Sequence, residues 1–260
     1  MKNKIVSHFN VDLDSVFGIC IQSKLNNISL DNVKFVGANT DKVADDEIPV
    51  DIVAEKHGIV GKSYVSSHFP EKLSKNIIDE IDEQDSTGKS SARVPLASLI
   101  AGLRFNGMKD QEILKTMCPV VDGLMKYKEL EDQADVQLKK SKIVKIGKYK
   151  FLRSIEGDVN PILGIKANEM GITGAIFQDK NNLGITRYPG NVEPNLATLK
   201  SKLGERIKEK GCSADEVNDW FAHKDGFLFS HGSRKAPASK KSCVFDDADD
   251  FEMWLDKNVD

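Results

Sequence analysis

The sequence predicts an α/β protein with two parts: a parallel-sheet N-terminal domain over residues 1–140 and a smaller α/β C-terminal domain over residues 141–260. In the first part, short runs rich in β-branched residues alternate with helical patterns, which is typical of a parallel sheet covered by helices. The second part opens with a hairpin pattern and returns to strands between its helices. The charged segment 129–142 marks the predicted boundary.

The elements of the first part follow from hydrophobic periodicity and from turn residues. We expect strands at residues 4–9, 33–36, 50–53 and 63–69, because each is a short β-rich run bounded by Gly, Pro or acidic residues. We expect helices at residues 15–25, 70–85, 92–105 and 110–138, with Pro95 and Pro119 at starts or breaks.

The second part is expected to contain a hairpin, three helices and three further strands. The hairpin is expected at residues 143–155 and the helices at 161–170, 196–210 and 214–221. The three further strands are expected at 174–178, 183–188 and 226–231. The acidic tail 246–260 contains Phe251 and Trp254 and follows Phe245. We predict a helix that packs these aromatic rings on the domain, and the alternative is a nucleic-acid mimic that covers a basic cleft.

The composition is that of a globular protein, with 40% hydrophobic and 30% charged residues in a chain of 260. It excludes a disordered tail or a fibre. No apolar run approaches the roughly 18 to 20 residues that a membrane helix needs. The four cysteines are far apart and show no zinc spacing, so we expect reduced, buried thiols in a cytoplasmic protein.

Charge is distributed unevenly along the chain. Residues 1–140 contain 18 basic and 22 acidic residues, residues 141–245 contain 18 and 11, and residues 246–260 contain 1 and 7. This pattern suits a first part that holds cations and a second part that attracts an anion. Exposed helix faces with no ligand are the alternative explanation.

The segment from His8 to Ser15 contains the most informative motif. Asp12 and Asp14 follow His8 where the first strand is expected to end and a helix to begin, the edge at which open α/β sheets bind ligands. Carboxylates with one imidazole suit Mn²⁺ or a similar divalent ion. The alternative is a loop in which Asp14 or Ser15 caps the helix.

Further candidate ligands occur at the ends of other predicted elements. Asp51 is expected inside an apolar strand, where an unpaired carboxylate would be costly, so a nearby cation would explain it. His68 ends another expected strand, and Asp82 and Asp85 close a helix. The alternatives are backbone hydrogen bonds for Asp51, a core position for His68 and a turn for Asp85.

In this order the residues resemble the DHH phosphoesterase superfamily, whose His-x3-Asp-x-Asp motif is matched by His8, Asp12 and Asp14. Within it, the MYG-type exonuclease family is the most similar. Its Ile-Asp-x-x-Asp motif is matched by residues 81–85, and its late Phe-Val-His strand by residues 227–232. The resemblance implies a metal-dependent phosphoesterase.

The resemblance also implies site residues. Two divalent ions, Mn²⁺ or Mg²⁺, would be bridged by Asp51, and the metal ligands would be His8, Asp12, Asp14, Asp51, His68 and Asp85. Asp12, Asp14 and His68 would serve catalysis, with a shared water as the nucleophile. The chain departs from the superfamily at the name-giving Asp-His-His, where it has Ser66-Ser67-His68-Phe69. We align His68 with the metal-ligating histidine, and the alternative register makes it the phosphate-contacting one.

The expected substrate contacts lie in the second part, at His231, Gly232, Ser233, Arg234 and Lys235. Backbone amides in a glycine turn, together with a bidentate arginine, can hold a phosphate. The family's C-terminal domains hold the far end of the substrate with a similar Gly-His and Arg arrangement.

We therefore expect a 3′-to-5′ exonuclease or phosphodiesterase acting on short single-stranded RNA or DNA. The excess of basic residues in 141–245 is smaller than that of proteins that track long duplexes, which carry a dense array of Lys and Arg. The rivals are a hydrolase of pyrophosphate, polyphosphate or a nucleotide, and a homologue that binds nucleic acid without turnover. Self-association is left open by the sequence.

Overall fold

The computed structural model describes residues 2–40, 42–52, 62–155, 162–233 and 235–259. The chain forms two compact units, Met1–Glu129 and Leu130–Asp260. Each unit combines helices with a sheet of its own, so the predicted α/β class is confirmed. The division falls inside one long helix that ends at Lys140, whereas the sequence places the boundary at the end of that helix.

The first unit contains a three-stranded parallel sheet with its first strand in the centre. Its elements are β1 (Lys4–His8), α1 (Leu13–Asn26), β2 (Val33–Val36), β3 (Glu47–Pro49), α2 (Tyr64–His68), α3 (Lys75–Thr87), α4 (Leu96–Phe105) and the start of α5 (Asp110–Lys140). Ile5 and Val6 of β1 are buried, as a central parallel strand requires. His8 therefore ends the central strand at the carboxyl edge of the sheet.

Two predicted strands of this unit are wrong. Residues 63–69 contain the helix α2, because Ser63 caps it by accepting a hydrogen bond from the backbone N–H of Ser66. Residues 50–52 follow β3, which ends at Pro49, and Asp51 has a positive φ of 52° that ends the extended backbone.

The second unit contains a six-stranded sheet in the order β4-β5-β6-β7-β9-β8. In this order β5 and β6 pair in parallel, and the other neighbouring strands are antiparallel. Its elements after α5 are β4 (Lys142–Ile146), β5 (Tyr149–Ile155), α6 (Leu163–Glu169), β6 (Gly174–Asp179), β7 (Asn182–Arg187), α7 (Leu199–Glu209), β8 (Trp220–Ala222), β9 (Leu228–His231) and α8 (Ala248–Asn258). The helix expected at 214–221 is instead a 3-10 helix, Ala214–Asp219, followed by β8.

The acidic tail forms α8 and packs on the second unit. Phe251 is fully buried, and its ring lies 4.9 Å from that of Phe245 and 6.2 Å from that of Trp254. This aromatic cluster also includes Trp220, whose ring lies 5.8 Å from Phe251. The prediction of a packing helix is confirmed.

The cysteines differ from the prediction of reduced thiols. Cys20 is bonded to Cys118 in the first unit, and Cys212 to Cys243 in the second. The bonded cysteines are 98 and 31 residues apart in the sequence, so no local cysteine spacing indicated these pairs. Among the helices in the described part of the chain, none has the length and apolar character needed to cross a bilayer.

Candidate metal centre

Three predicted ligands converge at the carboxyl edge of the first sheet. The Nε2 atom of His8 lies 3.0 Å from Oδ2 of Asp51 and 3.8 Å from Oδ2 of Asp12. One ligand atom from each residue falls within 4.8 Å of those of the other two. His8 and Asp51 are mostly buried, whereas Asp12 is about half exposed, so the group is open to solvent on the Asp12 side.

Asp12 is aimed at His8 by its place at the start of α1. Its Oδ1 atom accepts hydrogen bonds from the backbone N–H and the hydroxyl of Ser15, at 3.0 and 2.9 Å. This N-cap fixes one carboxylate oxygen and leaves Oδ2 facing His8. Asp12 is therefore the capping residue, where the sequence suggested Asp14 or Ser15.

The loop between His8 and Asp12 is braced by two residues that sequence reasoning missed. Asp110 accepts hydrogen bonds from the backbone N–H groups of Asn10 and Val11, at 2.9 and 3.2 Å. Arg104 donates to the carbonyl of Val11 at 2.8 Å and pairs with Asp110 at 3.1 Å. No local sequence pattern indicated this contact, because the two residues are about 100 positions from the loop. Asn10 has a positive φ of 57° that turns the chain here.

The tautomer of His8 is fixed by its own backbone surroundings. Its Nδ1 lies 2.8 Å from the carbonyl oxygen of Phe9, which can only accept a hydrogen bond, so Nδ1 carries the proton and donates it to this bond. Nε2 is thus the nitrogen available to an ion. Without an ion, the hydrogen bond to Asp51 raises the pKa of His8 to about 9, against a smaller opposing effect of burial.

Asp14 is buried beside this group, but its carboxylate is already engaged. Its Oδ2 accepts the backbone N–H of Tyr64 at 2.5 Å, and its Oδ1 accepts that of Val65 at 2.9 Å. Burial, with the charge of Asp51 as the next cause, raises the pKa of Asp14 to about 8 although both amides lower it. The sequence analysis considered hydrogen bonds to backbone amides as the alternative role of Asp51. In the structure Asp14 makes such bonds.

The other two predicted ligands, His68 and Asp85, do not join the group. His68 lies on α2, where its Nδ1 is 3.0 Å from the carbonyl oxygen of Tyr64 and its ring stacks on the Tyr64 ring at 4.3 Å. Asp85 is exposed on α3. The strand predicted at 63–69 is a helix, so His68 is not presented at a strand end.

The ligand set therefore fits one divalent ion. One imidazole and two carboxylates are the donors preferred by Mn²⁺ and by catalytic zinc, and solvent access on one side leaves room for a water ligand. The second expected ion finds no complete ligand set in the part of the chain that the structure describes, because Asp14 is bonded to two amides while His68 and Asp85 are not gathered with it.

The predicted substrate-contacting segment lines a cavity of about 510 Å³ in the second unit. His231, Gly232 and Ser233 are on its wall. Gly232 has a positive φ of 72°, and the backbone N–H of the next residue, Ser233, donates to the carbonyl of Ala236. Lys235 is exposed and is not part of the wall. Arg234 lies outside the described residues.

Comparison with known proteins identifies no relative: no protein-family model matches the chain, and no curated protein matches its sequence. The likeness to the DHH phosphoesterases rests on the motifs alone and stays a prediction.

Proposed function

We propose that this protein is a divalent-metal-dependent phosphoesterase. The observation that supports the proposal best is the convergence of His8, Asp12 and Asp51 at the carboxyl edge of the parallel sheet. The group lies where open α/β sheets bind their ligands. It is held by a capped helix and a braced loop, so its geometry is prepared before an ion arrives.

The residues of the centre have distinct roles in this proposal. A bound ion would activate a water and neutralise charge on the phosphate. His8 offers Nε2 because Nδ1 donates to Phe9, and Asp51 and Asp12 supply negative charge at 3.0 and 3.8 Å from that nitrogen. Arg104 and Asp110 hold the loop between His8 and Asp12.

A short single-stranded oligonucleotide is the substrate that we propose. The cavity in the second unit has the size of a site for a nucleotide. Phe221 lines this cavity with 53% of its surface exposed, and such a ring can stack on a base of any identity. Pyrophosphate has no base, so it would not use Phe221.

The test is hydrolysis by the full chain with Mn²⁺ on labelled oligonucleotides, dinucleotides and pyrophosphate. We expect cleavage of oligonucleotides, and a loss of at least about 100-fold in Asp12→Asn, because the amide keeps the shape but not the charge that holds the ion. Asp79→Asn, an exposed carboxylate on α3, is the matched control and should keep full activity. Equal activity of the parent and Asp12→Asn would refute the metal centre.

A second pair of variants tests the substrate class. Phe221→Ala should raise KM for oligonucleotides about tenfold, from the loss of one stacked base, and leave pyrophosphate hydrolysis unchanged. Phe105→Ala removes a still more exposed ring on α4 and should change neither. Preference for pyrophosphate would favour the small-phosphate hydrolase, and metal binding with no turnover on any substrate would favour a non-catalytic protein.

A further inference from the structure

A second group of metal-ligating side chains lies in the second unit and is separate from the centre described above. One ligand atom from each of Glu216, Asp219 and His231 falls within 4.8 Å of those of the other two. Glu216 and His231 are 5% and 2% exposed, whereas Asp219 is half exposed. Asp219 and His231 line the 510 Å³ cavity, so the group opens into it.

Local structure brings these three residues together. Glu216 and Asp219 are three positions apart on the 3-10 helix Ala214–Asp219, and residues at this spacing eclipse each other because such a helix has three residues per turn. The strand β8 begins at the next residue, Trp220, which pairs directly with His231 of β9. The imidazole is thus delivered to the face of the 3-10 helix that presents both carboxylates.

The orientation of the His231 ring points to a ligand. Its Nδ1 lies 3.2 Å from the carbonyl oxygen of Asn181, so Nδ1 holds the proton and Nε2 presents its lone pair. Nε2 is 4.0 Å from Oε1 of Glu216 and has no hydrogen-bond partner among residues 2–40, 42–52, 62–155, 162–233 and 235–259. Oε1 of Glu216 also accepts a hydrogen bond from the backbone N–H of Cys243 at 3.3 Å. A cation between Nε2 and the remaining lone pairs of this buried carboxylate would engage both groups.

Lys240 supplies only part of the missing positive charge. Its Nζ lies 3.5 Å from Oε2 of Glu216 and 3.7 Å from Oδ2 of Asp219, and the side chain is 65% exposed. An ammonium has no acceptor to offer and touches the carboxylates from the solvent side. A long exposed side chain can also move aside at little cost.

We propose that Glu216, Asp219 and His231 bind one divalent first-row cation, such as Mn²⁺ or Zn²⁺, on the wall of this cavity. Ligand atoms around such an ion lie about 2.0–2.2 Å from it, so small torsions of the exposed Asp219 bring the three atoms into range. Three protein ligands leave coordination positions open toward the cavity, where an anionic group of a ligand could bind. The site is independent of His8, Asp12 and Asp51.

The test counts ions bound to the full chain by equilibrium dialysis with Mn²⁺ or Zn²⁺. The variant Asp12→Asn is the starting protein, because it disables the first centre, and we expect it to retain one ion. Adding Asp219→Asn should weaken binding of that ion at least about tenfold. Adding Asp215→Asn, an exposed carboxylate on the same 3-10 helix outside the group, should leave it unchanged.

Replacing Lys240 should change the ion affinity in the opposite direction. Adding Lys240→Ala to Asp12→Asn should tighten ion binding about fivefold, because the ammonium competes with the ion for both carboxylates. If Lys240 instead completes a salt-bridge network with no ion, this variant will show no tighter binding, which would overturn the proposal. The proposal would also be overturned if the Asp12→Asn variant bound no ion. The same holds if adding Asp219→Asn and adding Asp215→Asn to this variant gave equal ion affinities. Hydrolysis by the parent is scored separately, so a failure here leaves the proposed function untouched.

Discussion

Asp14 accepts a hydrogen bond of 2.5 Å from the backbone N–H of Tyr64, across 50 positions of sequence. The same carboxylate accepts the N–H of Val65, so one acidic side chain of α1 serves the first turn of α2. Helix starts leave such N–H groups without partners, and the two oxygens of Asp14 supply acceptors for two of them. Asp14 is therefore part of the fold as well as a neighbour of the metal centre.

The first prediction separates these two roles of Asp14. Asp14→Asn should lower the free energy of unfolding by about 2–3 kcal/mol even without an ion, because the amide NH₂ of asparagine faces a backbone N–H and leaves a buried donor unsatisfied. Urea denaturation in EDTA measures this. Asp31→Asn, an exposed carboxylate paired with Lys115, is the control and should change stability by less than about 0.5 kcal/mol. An unchanged midpoint for Asp14→Asn would show that the hydrogen bonds of Asp14 to Tyr64 and Val65 do not stabilise the fold.

The error at residues 63–69 shows where sequence reasoning stopped. Tyr64, Val65 and Phe69 are strand-forming residues, and their run predicts a strand locally. The helix instead depends on partners far away in sequence, since Asp14 accepts two of its N–H groups and Asp82 accepts both the N–H and the hydroxyl of Ser63. The strand at β1 and the helix after it were predictable, because their patterns are local.

The candidate site was also predictable only where its residues are close together in the sequence. His8 and Asp12 belong to one continuous motif, and their closeness follows from the strand-to-helix turn. Asp51 was singled out correctly for a wrong reason: it stands past the end of β3 and not within a strand. The braces Arg104 and Asp110 could not be found, because nothing local indicates which loop a distant side chain will hold.

A second prediction concerns the close approach of α1 to α2. A Cβ atom on Gly18 would lie 2.7 Å from the ring of Tyr64 and 2.8 Å from Val50. Gly18→Ala should therefore destabilise the protein by about 1–3 kcal/mol, since both neighbours are fully buried. Gly102→Ala on α4 has open space and should be neutral or stabilise by up to about 1 kcal/mol. Thermal melts of both variants provide the comparison, and equal melting temperatures would contradict the packing.

A third prediction concerns the brace on the metal-binding loop. Asp110→Ala removes the acceptor for Asn10 and Val11, so the loop should lose its fixed geometry and the affinity for Mn²⁺ should fall about 10- to 100-fold. Asp122→Ala, also on α5 and paired with Lys24, is the matched control. Titration of Mn²⁺ followed by electron paramagnetic resonance measures both. The same affinity in the two variants would show that the loop keeps its shape without Asp110.

The last prediction is a pH dependence of the metal-free protein. His8 titrates near 6.5 in the unfolded chain and its pKa is about 9 in the folded one, chiefly because of its hydrogen bond to Asp51. Below pH 6.5 the ring is protonated in both states, so the stabilisation from this pair is fully present. As the pH rises from 6.5 through 9, the stabilisation is lost.

Stability measured in EDTA should therefore fall over this range. Asp14 contributes in the same direction, because its pKa is raised from 3.8 to about 8 and the folded state holds a proton that the unfolded chain releases. His8→Gln should flatten the part of the profile between pH 6.5 and 9, while His223→Gln, a histidine beside exposed Asp225, should leave it unchanged. Saturating Mn²⁺ should also remove much of the fall, because the ion takes the place of the proton on Nε2. Parallel profiles for the parent and His8→Gln would show that the His8 and Asp51 pair does not govern the stability of this site.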